Sequence, residues 1–389
     1  MTTGHAQDAE QPETGITPGD KGAFRDVLSK DHARRGKPPV HLVDMTPDER
    51  IARAKDLGLP KFRVKQLANH YFGRLETESE AFTDLPAATR GDIVEAFFPP
   101  LIDEVTHQVA DQGTTIKTLW RLFDGSHIES VLMRYPNRTT LCISSQVGCG
   151  MGCPFCATGK LGLTRNMSTG EILEQVRVAA RMMRDGEVAG GPGRLSNIVF
   201  MGMGEPLDNT DNVLRALEIM TSEWGFGWSP TRITLSTAGV APELQRFLDA
   251  TKVHLAVSLH NPFHEERAAI MPVERAWPIA EVAAILRRYD FTHQRRVSFE
   301  YIVMSGLNDS PRHIRELCRL LDGIKCRINL IRFHKIPGSP FFSPDDEAMI
   351  RFRDTLTAKG IQTTIRASRG EDIQAACGLL STAAAENGQ

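Results

Sequence analysis

The sequence predicts an α/β protein in which a partial (β/α)6 barrel follows a small helical domain and a β-hairpin. From about residue 139 to residue 370, short apolar strands alternate with amphipathic helices, and such alternation implies parallel strands joined by right-handed crossovers. Upstream, two runs of alternating apolar residues flank an Asp-Gly pair, which is a strong hairpin signal. About six strand–helix units are fewer than the eight of a closed barrel, so we expect a barrel that is open on one side.

The N-terminal part of the chain divides into a tail and a helical domain. Residues 1–40 combine Gly, Pro, Ser and charges without apolar periodicity, and we interpret them as a flexible tail. Thr46, Pro47 and Glu49 supply a capping hydroxyl, a first-turn proline and a capping-box glutamate, so the first ordered element is predicted to begin there. Breaks divide the domain, residues 41–103, into several short helices at Gly58, Pro60, Gly73 and Pro86.

This helical domain carries a cationic surface. Four basic residues lie near two aromatic ones: Lys61, Arg63, Lys65 and Arg74 beside Tyr71 and Phe72. Clustered cations and aromatic rings suit an RNA-binding module, but a helical domain with a solvated charged face has the same pattern. The sequence alone leaves both interpretations open.

The segment 104–138 contains the predicted hairpin. Its strands are Thr115–Phe123 and His127–Tyr135, joined by Asp124-Gly125. Glu129 lies in the second strand, and Val131 and Met133 occupy every second position after it. This spacing places the three side chains on one face of the strand.

The predicted barrel contains six strands and six helices. The strands are Thr140–Ser145, Ser196–Met201, Arg232–Ser236, Val253–Ser258, Val297–Val303 and Arg327–Arg332. The helices are Thr169–Arg184, Asp211–Glu223, Pro242–Ala250, Ile279–Tyr289, Pro311–Leu321 and Pro344–Lys359. In parallel barrels the chemistry lies at the C-terminal ends of the strands. Five polar residues fall there: Glu205, Ser236, Ser258, His260 and His334.

Composition limits the classes of function. With 41% hydrophobic and 24% charged residues the chain is typical of a globular protein, and its longest apolar runs are far shorter than the ~20 residues of a membrane helix. The N-terminus lacks the apolar stretch of a signal peptide, so we expect a cytoplasmic protein without a membrane partner. A net charge of −2 argues against a general nucleic-acid coat protein, and any RNA contact needs a local basic patch.

Three of the seven cysteines crowd into one loop. Cys149, Cys153 and Cys156 follow a C-x3-C-x2-C spacing in a glycine-rich run after the first barrel strand. Glycines let the backbone wrap closely, and thiolates are the ordinary ligands of iron–sulfur clusters. Three ligands leave one iron of a four-iron cluster open for an exogenous ligand. Zinc is the alternative, although a structural zinc site takes four ligands and no neighbouring Cys or His completes one.

The loop and the segments around it resemble the radical SAM superfamily, and within it the RlmN-type ribosomal RNA adenine methyltransferases. A C-x3-C-x2-C loop after the first strand of a partial barrel, with Phe155 before its last cysteine, is typical of the superfamily. The resemblance to the RlmN-type enzymes covers about residues 45 to 382. It rests on Ser144–Cys149 (SSQVGC), Met201–Leu207 (MGMGEPL), Leu235–Thr237 (LST), Ser258–His260 (SLH) and Asp372–Gly378 (DIQAACG).

The resemblance implies a radical reaction at carbon 2 of adenine, which is too electron-poor to attack the sulfonium methyl group of S-adenosylmethionine (SAM) directly. It implies one 4Fe–4S cluster and two SAM molecules per turnover. One SAM methylates a cysteine, which Cys377 matches, and the other is cleaved at the open iron to a radical that activates this methyl group. The resulting methylene adds to the base, and a second cysteine, matched by Cys142, releases the product by forming a disulfide with Cys377.

The same resemblance assigns the remaining site residues. The cluster would be bound by Cys149, Cys153 and Cys156. The SAM-binding turn of the family is matched by Gly204 and Glu205, and its further SAM contacts are matched by Ser236, Ser258, Leu259 and His260. Glu129 matches a candidate base. His334 stands where many members carry an asparagine that contacts SAM, and imidazole can still make one hydrogen bond. For Glu129, a surface carboxylate on the hairpin is the alternative. Cys318 and Cys326 match no role, and core packing explains both.

The resemblance also implies partners. The substrate would be 23S ribosomal RNA at the peptidyl transferase centre, naked or partly assembled, and whether an adenine next to the anticodon of transfer RNA is a second substrate stays open. We expect an external electron donor such as flavodoxin, a monomer, and a C-terminal segment, residues 371–389, that carries Cys377. Two alternatives remain: a Cfr-type enzyme that methylates carbon 8 of the same adenine, and a non-catalytic iron–sulfur or zinc protein that binds RNA. The segment Glu205–Leu207 and the sizeable helical domain favour the RlmN type over the Cfr type.

Overall fold

The structure is a computed structural model that describes residues 36–292, 294–367, 369–370, 372–376 and 378–380. These residues fall within one compact unit of the chain. Two predicted features lie outside them: most of the N-terminal tail, and Cys377. None of the described helices is long and apolar enough to cross a bilayer.

The predicted short helices of the N-terminal segment are present, but the first described element begins before Thr46. The helices are α1 (Pro47–Asp56), α2 (Phe62–Phe72) and α3 (Arg90–Phe97). The Thr46 hydroxyl accepts a hydrogen bond from the Glu49 N–H at 3.3 Å, and the Glu49 carboxylate accepts one from the Thr46 N–H at 2.7 Å, which confirms the capping box. A 3-10 turn at Leu42–Asp44 precedes it and buries two apolar side chains. The predicted start was wrong because a single buried turn is too short to show periodicity.

One sheet of ten strands organises the rest of the chain. Its strands are β1 (Ile102–Ala110), β2 (Thr115–Leu122), β3 (His127–Tyr135), β4 (Arg138–Cys142), β7 (Asn197–Phe200), β8 (Ile233–Thr237), β9 (His254–Ser258), β10 (Val297–Val303), β11 (Cys326–Arg332) and β12 (Thr363–Ile365). A separate two-stranded sheet pairs β5 (Gln146–Gly148) with β6 (Leu163–Asn166). Strands β1 to β4 pair antiparallel, and β4 and β7 to β12 pair parallel in chain order. The parallel part is the predicted open barrel, and the hairpin extends the same sheet.

The crossovers between the parallel strands are helical, as expected. The helices after the first barrel strand are α4 (Ala157–Leu161), α5 (Thr169–Asp185), α6 (Thr210–Thr221), α7 (Ala241–Ala250), α8 (His264–Ile270), α9 (Ile279–Arg288), α10 (Pro311–Leu321) and α11 (Asp346–Ala358). The helical domain is attached to α5: the Asp44 carboxylate accepts a hydrogen bond from the Gly170 N–H at 2.8 Å, and the Arg177 guanidinium donates to the Leu75 carbonyl at 2.9 Å.

Two strands of the sheet were not predicted. Strand β1 lies at one edge, and most of its side chains are exposed or half-buried, so it lacks the alternation of a strand with one buried face. Strand β12, at the other edge, has only three residues, two of them threonine. Edge strands are covered on fewer sides than central ones, which weakens the apolar pattern that sequence reasoning depends on.

Candidate active site

The three loop cysteines line one cavity at the C-terminal edge of the parallel strands. The cavity measures about 790 Å³, and Cys149, Cys153 and Cys156 lie on its wall. The strand-end residues Ser236 and Ser258 lie on the same wall. The predicted convergence of cluster loop and strand ends is therefore present in the fold.

Glycines set the path of the cysteine loop. Gly148 has φ +77°, and a Cβ there would lie 2.0 Å from the Gly162 carbonyl oxygen. A Cβ on Gly159 would lie 2.9 Å from the backbone nitrogen and oxygen of Cys153. Side chains at these positions would displace the loop backbone, so the glycines are needed to fold the loop tightly around its thiols.

The cysteine loop fits an iron–sulfur cluster. Burial raises the pKa of the Cys149 thiol to about 12 and also raises the pKa of Cys153, so these side chains need a cation beside them to become thiolates. Among the described residues, no three His, Cys, Asp or Glu side chains are placed to bind a single metal ion. A cubane cluster offers each thiolate its own iron, so three cysteines that line one cavity without forming a single-ion site suit a cluster better than a zinc ion.

Gly204 and Glu205 form a tight turn that lines the same cavity. Gly204 has φ +102°, and a Cβ there would lie 2.6 Å from the Gln146 Cβ. The Glu205 N–H donates to the Gln146 side-chain oxygen at 2.8 Å, and the carboxylate accepts from the N–H groups of Leu207 at 3.0 Å and Ala238 at 2.7 Å. Burial raises the pKa of Glu205 to about 7. A ligand ammonium group would stabilise its charged form, which suits the predicted contact to the methionyl group of SAM.

His260 is held in one tautomer. It lines the cavity, and its Nδ1 accepts a hydrogen bond from the Ile302 N–H at 3.0 Å. Burial, with a smaller contribution from Arg267, lowers the pKa of His260 to about 3. The ring is therefore neutral and carries its hydrogen on Nε2, which makes it a hydrogen-bond donor. Leu259 differs from its neighbours because its side chain is fully buried in the apolar core, so only its backbone could contact a ligand.

Arg267 was not found by sequence reasoning. Its side chain is fully buried and donates to the carbonyls of Leu259 at 2.9 Å, Ala238 at 2.9 Å and Ser258 at 2.8 Å. It also pairs with the buried carboxylate of Glu274. Arg267 thus joins the ends of two neighbouring strands that carry predicted SAM contacts. No local pattern marks such a residue, because its partners are distant backbone groups.

A second cavity, of about 580 Å³, contains Cys142. It shares three lining residues with the first cavity: Met201, Ile331 and Arg366. His334, predicted as a SAM contact, lines this second cavity. The predicted methyl-carrying residue, Cys377, lies outside the described residues, but its sequence neighbours Ala376 and Gly378 line the second and the first cavity, respectively.

Glu129 is a buried residue of the hairpin. Its side chain is fully buried, and the Lys117 ammonium lies 3.2 Å from its carboxylate. The alternative of a surface carboxylate is therefore wrong. Glu129 shares a face of β3 with Met133, which lines the cavity of Cys142. The other two cysteines, Cys318 and Cys326, are half-buried and pack against the core, as expected.

Known proteins similar to this chain agree on one family. A model of the radical SAM superfamily matches residues 143–320. A Bifidobacterium longum protein named "Probable dual-specificity RNA methyltransferase RlmN" is 58% identical over 98% of this chain and 99% of its own length. The protein of the same name from Rhodococcus erythropolis is 48% identical over 91% of this chain and 97% of its own length. The crystal structure of a radical SAM methyltransferase from Sphaerobacter thermophilus superposes with a TM-score of 0.83 at 43% identity, covering 88% of this chain and all of that one.

Proposed function

Because this chain belongs to the RlmN family of radical SAM RNA methyltransferases, we propose that it methylates carbon 2 of an adenine in 23S ribosomal RNA. Membership makes it an enzyme with an RNA substrate that uses a 4Fe–4S cluster and SAM, so the alternative of a non-catalytic RNA-binding protein is wrong. The target atom, the RNA and the cysteine chemistry are the proposal.

The adjacency of the two cavities supports the proposal most directly. Cluster ligands line one, Cys142 lines the other, and Met201, Ile331 and Arg366 belong to both. The Cys142 thiol would thus lie next to the centre that generates the radical without being one of its ligands. This position suits a residue that reacts after the radical step. The residues on either side of Cys377 line these two cavities, which suits a methyl carrier that must meet both the radical and the resolving thiol.

Each of three residues would have one role. Cys377 would accept a methyl group from a first SAM and later carry it to the base. The adduct formed by radical addition would give up one electron, which the cluster would take back, and Glu129 would accept the proton that leaves carbon 2. The Cys142 thiolate would then attack the Cys377 sulfur, so that a sulfur–sulfur bond forms and the sulfur–carbon bond breaks. The electron pair of that bond stays on the carbon, which takes up a proton and becomes the methyl group of the product.

The cofactors supply the step that the side chains cannot perform. When bound, the cluster and a second SAM provide a radical strong enough to take hydrogen from an unactivated methyl group. Cys149, Cys153 and Cys156 would hold the cluster, the Glu205 carboxylate would bind the SAM ammonium, and His260 would donate a hydrogen bond. Ser236 and Ser258 lie on the same wall and would contact SAM at the strand ends.

The remaining partners follow from this chemistry. Radical formation uses one electron, and the Cys142–Cys377 disulfide needs two electrons before the next turnover, so an external reductant such as flavodoxin is required. We propose a monomer, and naked or partly assembled RNA as the substrate. A transfer RNA adenine next to the anticodon is proposed as a second substrate because the similar proteins carry "dual-specificity" in their names.

Isotope-traced methylation tests the proposal. The reconstituted protein, a 23S RNA transcript and methyl-labelled SAM should give labelled 2-methyladenosine after nuclease digestion and mass spectrometry. Labelled 8-methyladenosine would assign the Cfr-type reaction and overturn the carbon 2 proposal, as would carbon 2 methylation that persists in a deletion strain. Equal activity on intact ribosomes would contradict naked RNA as the preferred substrate. Methylation of transfer RNA under the same conditions tests the second substrate.

A further inference from the structure

A large groove separates the helical domain from the outer surface of the barrel. Its volume is about 1530 Å³, and it is lined by α1 and α2 on one side and by the end of α6 with the following loop on the other. None of the described residues that line the groove lines either of the two cavities described above. The groove is therefore distinct from the two cavities described above.

Arg50 lies in this groove with an unsatisfied donor. Its side chain is only 6% exposed, and its Nε donates to the Leu42 carbonyl at 2.9 Å. Its Nη2 is buried and has no hydrogen-bond partner among the described residues. Burial, with repulsion from Arg215, lowers the pKa of Arg50 to about 10, but the group stays charged at neutral pH. Buried donors are rarely left without an acceptor, and the acceptor that also neutralises a guanidinium is an anion.

The groove also contains an exposed aromatic ring. Trp224 is 45% exposed, and the guanidinium carbons of Arg50 and Arg215 lie 5.7 Å and 5.3 Å from its ring centre. Phe72 contacts the same ring edge-on, and Val64 extends the apolar wall. Exposed indole rings and guanidinium planes are both surfaces on which a nucleobase can stack.

The charge of the groove favours a polyanion. Four cations line it, Arg50, Lys61, Lys65 and Arg215, against two carboxylates, Glu218 and Glu223. Glu218 is paired with Arg215 at 2.8 Å. The positive excess is local, since the whole chain has a net charge of −2. Cations beside an aromatic platform are the combination used to bind single-stranded nucleic acid.

We propose that this groove binds an unpaired nucleotide of the RNA substrate, with a phosphate among its cations, Arg50, Lys61, Lys65 and Arg215, and the base against Trp224. The bound nucleotide is not the methylated adenine, because the groove and the two cavities share no described lining residue. It is a second contact that holds the RNA while the target adenine enters the active site. The inference rests on the RNA substrate of the proposed function, but not on which carbon is methylated.

RNA binding by the full chain tests this inference. With a 23S RNA transcript, Trp224→Ala should weaken binding about 10-fold, since stacking of one base is worth roughly that much, and Trp224→Phe should keep most of the affinity. Lys61→Ala with Lys65→Ala should reduce the salt dependence of log K by about 1 for each lysine. Lys55→Ala, an exposed lysine of α1 outside the groove, is the matched control and should show less than a two-fold effect on affinity.

Cross-linking identifies the occupant. A transcript containing 4-thiouridine should cross-link to the peptide that contains Trp224. Unchanged affinity in Trp224→Ala together with no cross-link there would overturn the inference. A cross-link that appears only after residues 1–35 are deleted would show that the N-terminal segment occupies the groove, and would equally overturn it. Carbon 8 methylation with intact groove binding would refute the proposed function alone.

Discussion

Lys117 and Glu129 form a fully buried ion pair on the inner face of the hairpin, with 3.2 Å between the ammonium nitrogen and the carboxylate. Lys117 is directly opposite Val131 across β2 and β3, and Val131 is opposite Cys142 across β3 and β4. Residues opposite one another in a sheet share a face, so one row of side chains connects this ion pair to the predicted resolving cysteine. The hairpin is thus part of the wall of the cavity that contains Cys142.

The contributions of Lys117 and Glu129 to the free energy of unfolding should depend strongly on each other. Lys117→Met leaves the Glu129 charge buried without this partner, and we expect a loss of about 3–5 kcal/mol in the free energy of unfolding. Lys117→Met combined with Glu129→Leu removes both charges and should recover most of that loss. Chemical denaturation of the single and double variants measures the coupling. A double variant as unstable as the sum of the two single ones would contradict it.

Cys142→Ala should trap the protein on its RNA. Without the resolving thiol, the bond between Cys377 and the methylated base cannot be exchanged for a disulfide, so a covalent RNA–protein species should accumulate. Denaturing electrophoresis before and after ribonuclease treatment detects it. Cys326→Ala, which removes a half-buried thiol outside both cavities, should turn over normally. Recovery of Cys142→Ala free of RNA after a reaction would count against the release step.

Cys153→Ala should prevent cluster assembly. Its thiol is one of three on the wall of the first cavity, and two thiolates hold a four-iron cluster poorly. Iron and sulfide assays after anaerobic reconstitution should fall to a small fraction of the wild-type content, and reduction with SAM should give no 5′-deoxyadenosine. Cys318→Ala, a half-buried thiol of α10, should bind wild-type amounts. Equal iron in the two variants would refute the ligand assignment.

Gly204→Ala should weaken SAM binding at least about 10-fold. The new Cβ would meet the Gln146 side chain at 2.6 Å, and the resulting shift would move the Glu205 carboxylate. Its proposed charged hydrogen bond to the SAM ammonium group would be worth roughly that factor. Gly227→Ala is the matched control: its φ is +64°, but a Cβ there meets nothing within 4 Å. Calorimetric titration of the reconstituted protein with SAM compares the two. Equal SAM affinities of the two variants would contradict the placement of Gly204 beside SAM.

His254 should make the protein sensitive to acid. Burial lowers the pKa of this histidine from 6.5 to about 4 in the folded protein. The unfolded chain therefore binds more protons between these values, so stability is greatest above pH 6.5 and falls as the pH drops towards 4. The contribution is about 3 kcal/mol. His254→Asn lacks this titration, so the difference in unfolding free energy between wild type and variant should change by that amount over this pH range. A constant difference would contradict the shift.

The sequence alone determined the elements with strong local signals. The capping box at Thr46, the Asp-Gly hairpin, six barrel strands and the cysteine spacing were all predictable, because each depends on neighbouring residues or a short period. Sequence reasoning did not predict the edge strands β1 and β12 or the turn at Leu42–Asp44. Partial burial or short length removes the periodic apolar pattern on which such predictions depend. The resemblance to the RlmN-type enzymes also came from the sequence, since several ordered motifs carry it.

Only the tertiary structure decided how distant residues combine. It buried Glu129 against Lys117, placed His334 in the cavity of Cys142, and brought Arg267 to three carbonyls at the ends of two strands. It also left a donor of Arg50 without a described partner beside Trp224. These relations join residues from 8 to more than 170 positions apart, so they depend on sheet register and helix packing, which no local pattern encodes.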